Sequence, residues 1–261
     1  ARHGPRHALA RQRGARVNAD ITSVTLPLEG TIERRLLVTY RLDPAVARPL
    51  LPTGLRPHIV DGSAVAGICL IRLGHVRPAW APSGFGLRTE NAAHRIAVEW
   101  DEASGVRTGV YIPQRHSASW LPVAAGGRVF PGVHRRARFD ILESADRIRV
   151  RMTASDTRIV ADVALTEGWA SSLFPTLDHA SEFFRTGSVG WSPARDGRTL
   201  EGLHLETDRW EVAAGLPLTV ASSYFDSLPA GAATLDHVLV MRDIPMRWTR
   251  PATAASLARG R

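Results

Sequence analysis

Lysine is missing from the sequence: in 261 residues, all 33 strongly basic side chains are arginine. Chemistry that needs a side-chain amine, a Schiff base above all, is thereby excluded, because a guanidinium keeps its proton in proteins. A GC-rich coding bias accounts for arginine at surface positions, and it does not change what arginine does in a pocket. Cysteine occurs once, so no internal disulfide forms. Cys69 lies in the apolar run AGICLIRL (66–73) and reads as a buried, inert thiol. No apolar run reaches the length of a membrane span, and residues 1–20 hold no apolar stretch of signal-peptide type. The expected setting is therefore cytoplasmic, with no membrane partner.

The formal net charge is +8. Residues 1–20 hold five Arg and one Asp, which places +4 there and leaves 8 − 4 = +4 for the other 241 residues. That remainder has no basic run interleaved with aromatics, no zinc finger and no RNA-binding sheet signature, so no nucleic-acid partner is expected. The apolar share of 44% is enough for a real core.

Residues 1–20 read as a disordered Arg-rich tail and residues 251–261 as a flexible C-terminal one, leaving 21–250 as a single domain. Strands dominate between them: RRLLVTYR (34–41), AGICLIRL (66–73), HRIAVEW (94–100), TGVYIP (108–113), RIRVRMT (147–153), RIVADVAL (158–165), RWEVAA (209–214) and HVLVMRDI (237–244). Several alternate apolar and polar, as half-buried antiparallel strands do. Helices are few. DPAVARPLLP (43–52) is short, with Asp43 as N-cap and Pro44 in the first turn. SASWLPVAAGG (117–127) is weakened by Pro122. TLDHASEFFRTG (176–187) is the clearest: Leu177, Ala180, Phe183 and Phe184 share one face, Thr176 or Asp178 caps, and Gly187 ends it. The fold class is α+β, mostly antiparallel β, wrapped into a barrel-like sheet with few peripheral helices. The tract 181–193 reads as core packing ahead of a pocket lid, and the seven tryptophans as core or pocket wall.

The familiar catalytic templates are missing: no G-x-S-x-G, H-E-x-x-H, G-x-x-x-x-G-K or C-x-x-C occurs. The ten histidines lack the tight spacing of a metal cluster, and a site built from His94, His116 and His134 is the weakest reading of them. No metal or cofactor is expected. Polar residues in apolar strand contexts remain: Glu90 with His94 and Arg95, then Arg115 and His116, then His134, Arg135 and Arg136 behind a Pro-Gly turn. Singly each reads as a surface ion pair. Converging, they would bind an anion and move protons.

Three stretches resemble the acetoacetate decarboxylase superfamily, and within it an uncharacterised actinobacterial branch, domain-of-unknown-function family 2071. In ERRLLVTYRLDPAVARPLLPTGLRP (33–57), Tyr40, Arg41, Asp43, Pro52 and Leu55 match a strand that leads into a short helix and a Pro-x-x-Leu turn. Arg88-Thr89-Glu90 resembles the strand entry bearing that family's active-site glutamate. Counted from Gly127-Arg128, Arg135 and Arg136 stand where the decarboxylases have two lysines, the first of which forms the Schiff base. The arginine those enzymes carry near the N-terminal strand has no clean match: Glu33 stands there, beside Arg34 and Arg35.

The resemblance implies a barrel or cone, homo-oligomers, and a lyase-like enzyme of specialised metabolism acting on a small carbonyl or carboxylate compound without a lysine. In that reading Glu90 is general acid/base, Arg135 and Arg136 hold the substrate anion, and His94, His116 and His134 are auxiliary proton carriers. Glu90 and Arg135 are expected to share one pocket. Two alternatives stay open: a non-catalytic small-anion-binding protein, and a hydrolase in which Glu90 activates water.

Overall fold

The computed structural model describes residues 21–23, 27–120 and 132–251. Both tails and most of the 117–127 segment, whose helix was expected from sequence, lie outside these residues. Fifteen strands form one sheet: β1 (Ile21–Ser23), β2 (Leu28–Leu42), β3 (Arg56–Pro57), β4 (Ile59–Val60), β5 (Ser63–Pro78), β6 (Leu87–Glu102), β7 (Gly105–Ser117), β8 (His134–Arg136), β9 (Arg138–Glu143), β10 (Arg147–Thr153), β11 (Arg158–Thr166), β12 (Val189–Pro193), β13 (Leu200–Glu206), β14 (Ala213–Ser222) and β15 (Ala233–Thr249). Most pairings are antiparallel. The parallel ones are β1–β13, β7–β12 and β7–β8.

Seven strands close on themselves in the order β2, β5, β6, β7, β12, β13, β15 and back to β2. Closure removes the open edges that would otherwise template aggregation. The N-terminal half of β15 also pairs with β14, from which β11, β10 and β9 continue as a second layer. Alternation along each strand therefore serves two cores. Leu36, Val38, Ile68, Leu70, Ile96 and Val98 point out of the ring and pack under Ile148, Val150, Ile159 and Ala161 of the second layer. Leu37, Val65, Ala97, Leu239 and Met241 point into the ring.

Irregular pairing decides which face each side chain takes. The register slips between Ile32 and Arg34 on β2, so inward residues change from even to odd numbers, and Arg35 turns inward while Arg34 turns outward. A second slip lies where β6 passes from His94 to Ile96 opposite the Tyr111–Gln114 stretch of β7. Pro113 sits in that bulge, where its missing N–H costs no ladder bond. Beyond it Arg115 turns inward and His116 is left opposite Ala92. Gly67 lies where β5 crosses β2 closely, and a Cβ there would stand 2.3 Å from the Val38 carbonyl oxygen.

Helix α1 (Pro44–Ala47) starts as read, with Asp43 accepting from the Ala45 N–H, and runs on into a 3-10 turn at Arg48–Leu50. Helix α2 (Leu177–Thr186) is capped by Thr176 and ended by Gly187. Of the helices read from sequence as peripheral, this one packs Ala180, Phe183 and Phe184 on the interior set, so it covers the barrel's mouth. The third helix, α3 (Ser223–Asp226), is one turn that places Phe225 against Tyr40. The expected strand at 209–214 is displaced: β14 begins at Ala213, and Trp210 serves the interior instead. No helix among the described residues is long and apolar enough to cross a membrane.

Candidate functional site

The ring encloses a cavity of about 120 Å³, to which all seven of its strands contribute. Arg35 enters from β2, Cys69 from β5, Asn91 and Arg95 from β6, and Arg115 from β7. Ile71, Ile112, Leu203, Trp210 and Trp248 supply apolar wall, and Phe184 of α2 closes one side. The tract 181–193 thus forms part of a pocket cover as well as core. Two tryptophans are pocket wall, whereas Trp100 and Trp191 meet edge to face in the core outside the ring.

The three arginines dominate the cavity's chemistry. Arg35 is 8% exposed, and among the described residues its hydrogen bonds reach sulfur: Nε donates to Cys69 Sγ at 3.3 Å and Nη1 to Met241 Sδ at 3.8 Å. The Arg95 Nε is buried with no hydrogen-bond partner. Arg115 donates from Nε to Ser192 Oγ at 2.8 Å. Arg95 and Arg115 are half-buried, and both line the cavity. Burial pulls both guanidinium groups down to about 10. Arg35 lowers Arg95 further and Arg95 lowers Arg115, while Cys69 and, for Arg115, Glu201 oppose. Both stay cationic at neutral pH. Burial by itself would push the Cys69 thiol up, but Arg35, Arg95 and Arg115 more than offset it and the thiol is held below its ordinary value. No carboxylate lies among the described residues lining the cavity. Three cations facing one small space, with no carboxylate in its described lining and only Glu201 acting on Arg115 from behind it, are costly unless an anion sits among them.

The residues singled out from sequence divide between the two sides of the wall. Glu90, even-numbered on β6, points out of the ring. It accepts from Arg34 Nη2 at 2.5 Å and from Arg72 Nε at 2.5 Å, and Arg72 continues to Glu143 at 2.9 Å. Arg34 is fully buried there. Arg136 borders an open groove beside Glu90, outside the ring. Arg135 is 54% exposed and ion-paired to Asp156. Glu90 and Arg135 therefore do not share the enclosed cavity, because strand alternation sends them away from it. His94 is outside the ring as well, donating or accepting at Ser222 Oγ, 2.9 Å away, and packed on Tyr224. His116 borders the cavity but its Nε2 turns to Asp156, 3.5 Å away. His134 also lines the cavity, with Nδ1 3.3 Å from the Gly132 carbonyl oxygen. Among the described residues no group of three or more His, Cys, Asp or Glu is arranged to hold a metal.

Ser171, His237 and Asp236 come together elsewhere and have the composition of a hydrolytic triad. Their geometry differs from one. Ser171 and Asp236 both address the same ring nitrogen, Nδ1 of His237. The Ser171 oxygen also accepts the Leu173 and Phe174 N–H groups, so the cluster ties a loop down.

The three histidines set an acid limit. Burial, then His116, pushes His94 down to about 3. Burial, then Arg135, pushes His116 down to about 4. Burial, then Arg115, pushes His134 to about 3, with the Gly132 hydrogen bond opposing. Each is neutral in the native protein and titrates near 6.5 when unfolded. Below 6.5 the unfolded chain binds more protons than the native one, so stability falls with pH. The expected slope is on the order of 1 kcal/mol per pH unit for each histidine held neutral. Melting temperatures between pH 7 and 5 should drop for the wild type and drop less for His94→Gln; identical slopes would contradict this account of His94.

Solved structures share the fold. The acetoacetate decarboxylase from Legionella pneumophila superposes with a TM-score of 0.57 at 12% identity, covering 86% of this chain and 85% of that one. An acetoacetate decarboxylase-like enzyme from Sphingomonas wittichii RW1 gives 0.57 at 15% identity, covering 87% and 92%. The enduracididine biosynthesis enzyme MppR, complexed with pyruvate, gives 0.53 at 13% identity, covering 87% and 89%. No curated protein sequence matches the chain. A family model does match, over residues 30–229, that of an uncharacterized conserved protein, DUF2071, and on this acetoacetate decarboxylase-like fold the chain belongs to that family.

Proposed function

We propose that the chain is a lyase-type enzyme that takes a small carbonyl or carboxylate compound into the barrel. Arg35, Arg95 and Arg115 hold its anionic group and stabilise negative charge that develops on it. The observation that carries this reading is the set of three arginines, Arg35 buried and Arg95 and Arg115 half-buried, around one cavity whose described lining holds no carboxylate. Guanidinium forks pair bidentately with carboxylates, and in a site shielded from water they lower the energy of an enolate as an oxyanion hole does. Asn91 and Thr89 supply neutral polar groups for a carbonyl oxygen, and His134 a neutral imidazole. Glu90 in this account holds Arg34 and Arg72 in place rather than moving protons. Decarboxylation, dehydration, aldol-type and isomerising steps all develop the same charge. MppR was solved with pyruvate, which makes a 2-keto acid the first ligand to try.

One observation favours a second reading, a small-anion-binding protein without catalysis: the described cavity lining has neither lysine nor carboxylate to act as a base. Proton NMR of the protein with pyruvate and with acetoacetate separates the two. Turnover supports the enzyme; binding without turnover of either supports the second reading. In both, borohydride should trap no ligand on a side chain, and a reduced internal adduct found by mass spectrometry would overturn the lysine-free account.

A further inference from the structure

Cys69, the only cysteine of the chain, is buried among the ring's apolar interior set, but its neighbours there are not all apolar. It borders the cavity, its sulfur accepts from the Arg35 Nε at 3.3 Å, and the Arg95 and Arg115 charges act on it. A structural cysteine in a core has apolar neighbours and stays protonated. This one faces cations, the setting of a reactive thiolate. The same space is lined by Arg95, whose buried Nε has no hydrogen-bond partner. An anion that pairs with Arg95 is thereby brought beside the sulfur.

We propose that Cys69 is a nucleophile of this cavity, adding to the β-carbon of an α,β-unsaturated carboxylate whose carboxylate group is held by the arginines. The proposal rests on the anion-binding reading above and names the substrate class it would serve. The sulfur lone pair forms the new C–S bond. The π pair of the double bond moves to the α-carbon, where the arginines stabilise the charge, and solvent supplies the proton that completes the adduct. Loss of that proton and expulsion of the thiolate reverse the step.

Because the chain has one cysteine, intact-mass spectrometry reads the site without ambiguity. Native protein is treated with iodoacetate, with iodoacetamide and with acrylate. An isolated thiol has no reason to prefer the charged alkylating agent. Here iodoacetate should react faster than iodoacetamide by roughly tenfold, as one charge-assisted contact allows, acrylate should add once, and Arg95→Gln should lose the preference. Cys69→Ser should take up none of the three. Equal rates with the two iodo reagents would overturn the proposal and the anion-binding reading together. No labelling of the folded protein, while pyruvate still raises its melting temperature, would overturn the role of Cys69 alone.

Discussion

Replacing Arg95 by methionine is expected to abolish small-carboxylate binding and, in the same protein, to raise the melting temperature of the empty form. The two effects share one cause. Arg95 is a half-buried cation whose buried Nε has no hydrogen-bond partner, lowered further by Arg35 and itself lowering Arg115. Without a ligand it contributes desolvation cost and repulsion, and methionine of similar volume removes both. Apolar replacement of buried charges of this kind is neutral or stabilising, here by an amount on the order of 1 kcal/mol. With a carboxylate bound, the sign reverses. Losing one partner of a desolvated charge pair costs about 2–5 kcal/mol of affinity. Thermal scans with and without pyruvate measure both effects. A variant that melts lower and binds as before would show that Arg95 is a structural residue.

Glu90→Ala should behave in the opposite way. Its carboxylate stands between the fully buried Arg34 and the half-buried Arg72. Without it Arg34 keeps only the longer contact with Glu143, at 3.4 Å. Removing one partner of a buried pair costs about 3–5 kcal/mol of stability. Ligand affinity, measured where the variant is still folded, should change little, because Glu90 faces the other side of the barrel wall. Denaturant titration gives the first quantity and calorimetry with pyruvate the second. A stable variant that has lost its ligand would return Glu90 to the site.

These two residues show where the sequence was legible and where it was not. The strand periodicity of RIRVRMT, the Asp43 cap and the Thr176–Gly187 helix all follow from local chemistry, and the structure has each of them. The site depends on which side of a strand a residue faces, and that is a matter of counting by two. Along β6 the count puts Glu90 and His94 on one face and Asn91 and Arg95 on the other, so Glu90 and Arg95 were separable from sequence. The count fails at bulges. Arg34 and Arg35 exchange faces at the slip after Ile32, and Arg115 and His116 at the slip around Pro113. Pro113 inside a strand was the visible sign of the second. No comparable sign marks the first. Cys69 was missed for a different reason: its apolar neighbours in sequence, Ile68 and Leu70, point out of the ring, whereas its cationic neighbours come from three other strands.

The most direct measurement is calorimetric titration of pyruvate into wild type, Arg95→Ala and Arg135→Ala. The cavity account predicts binding by the wild type, binding of the same affinity by Arg135→Ala, and none by Arg95→Ala. Loss of binding in Arg135→Ala with binding retained in Arg95→Ala would contradict it, and would move the anion site out of the barrel to the exposed Arg135-Arg136 pair.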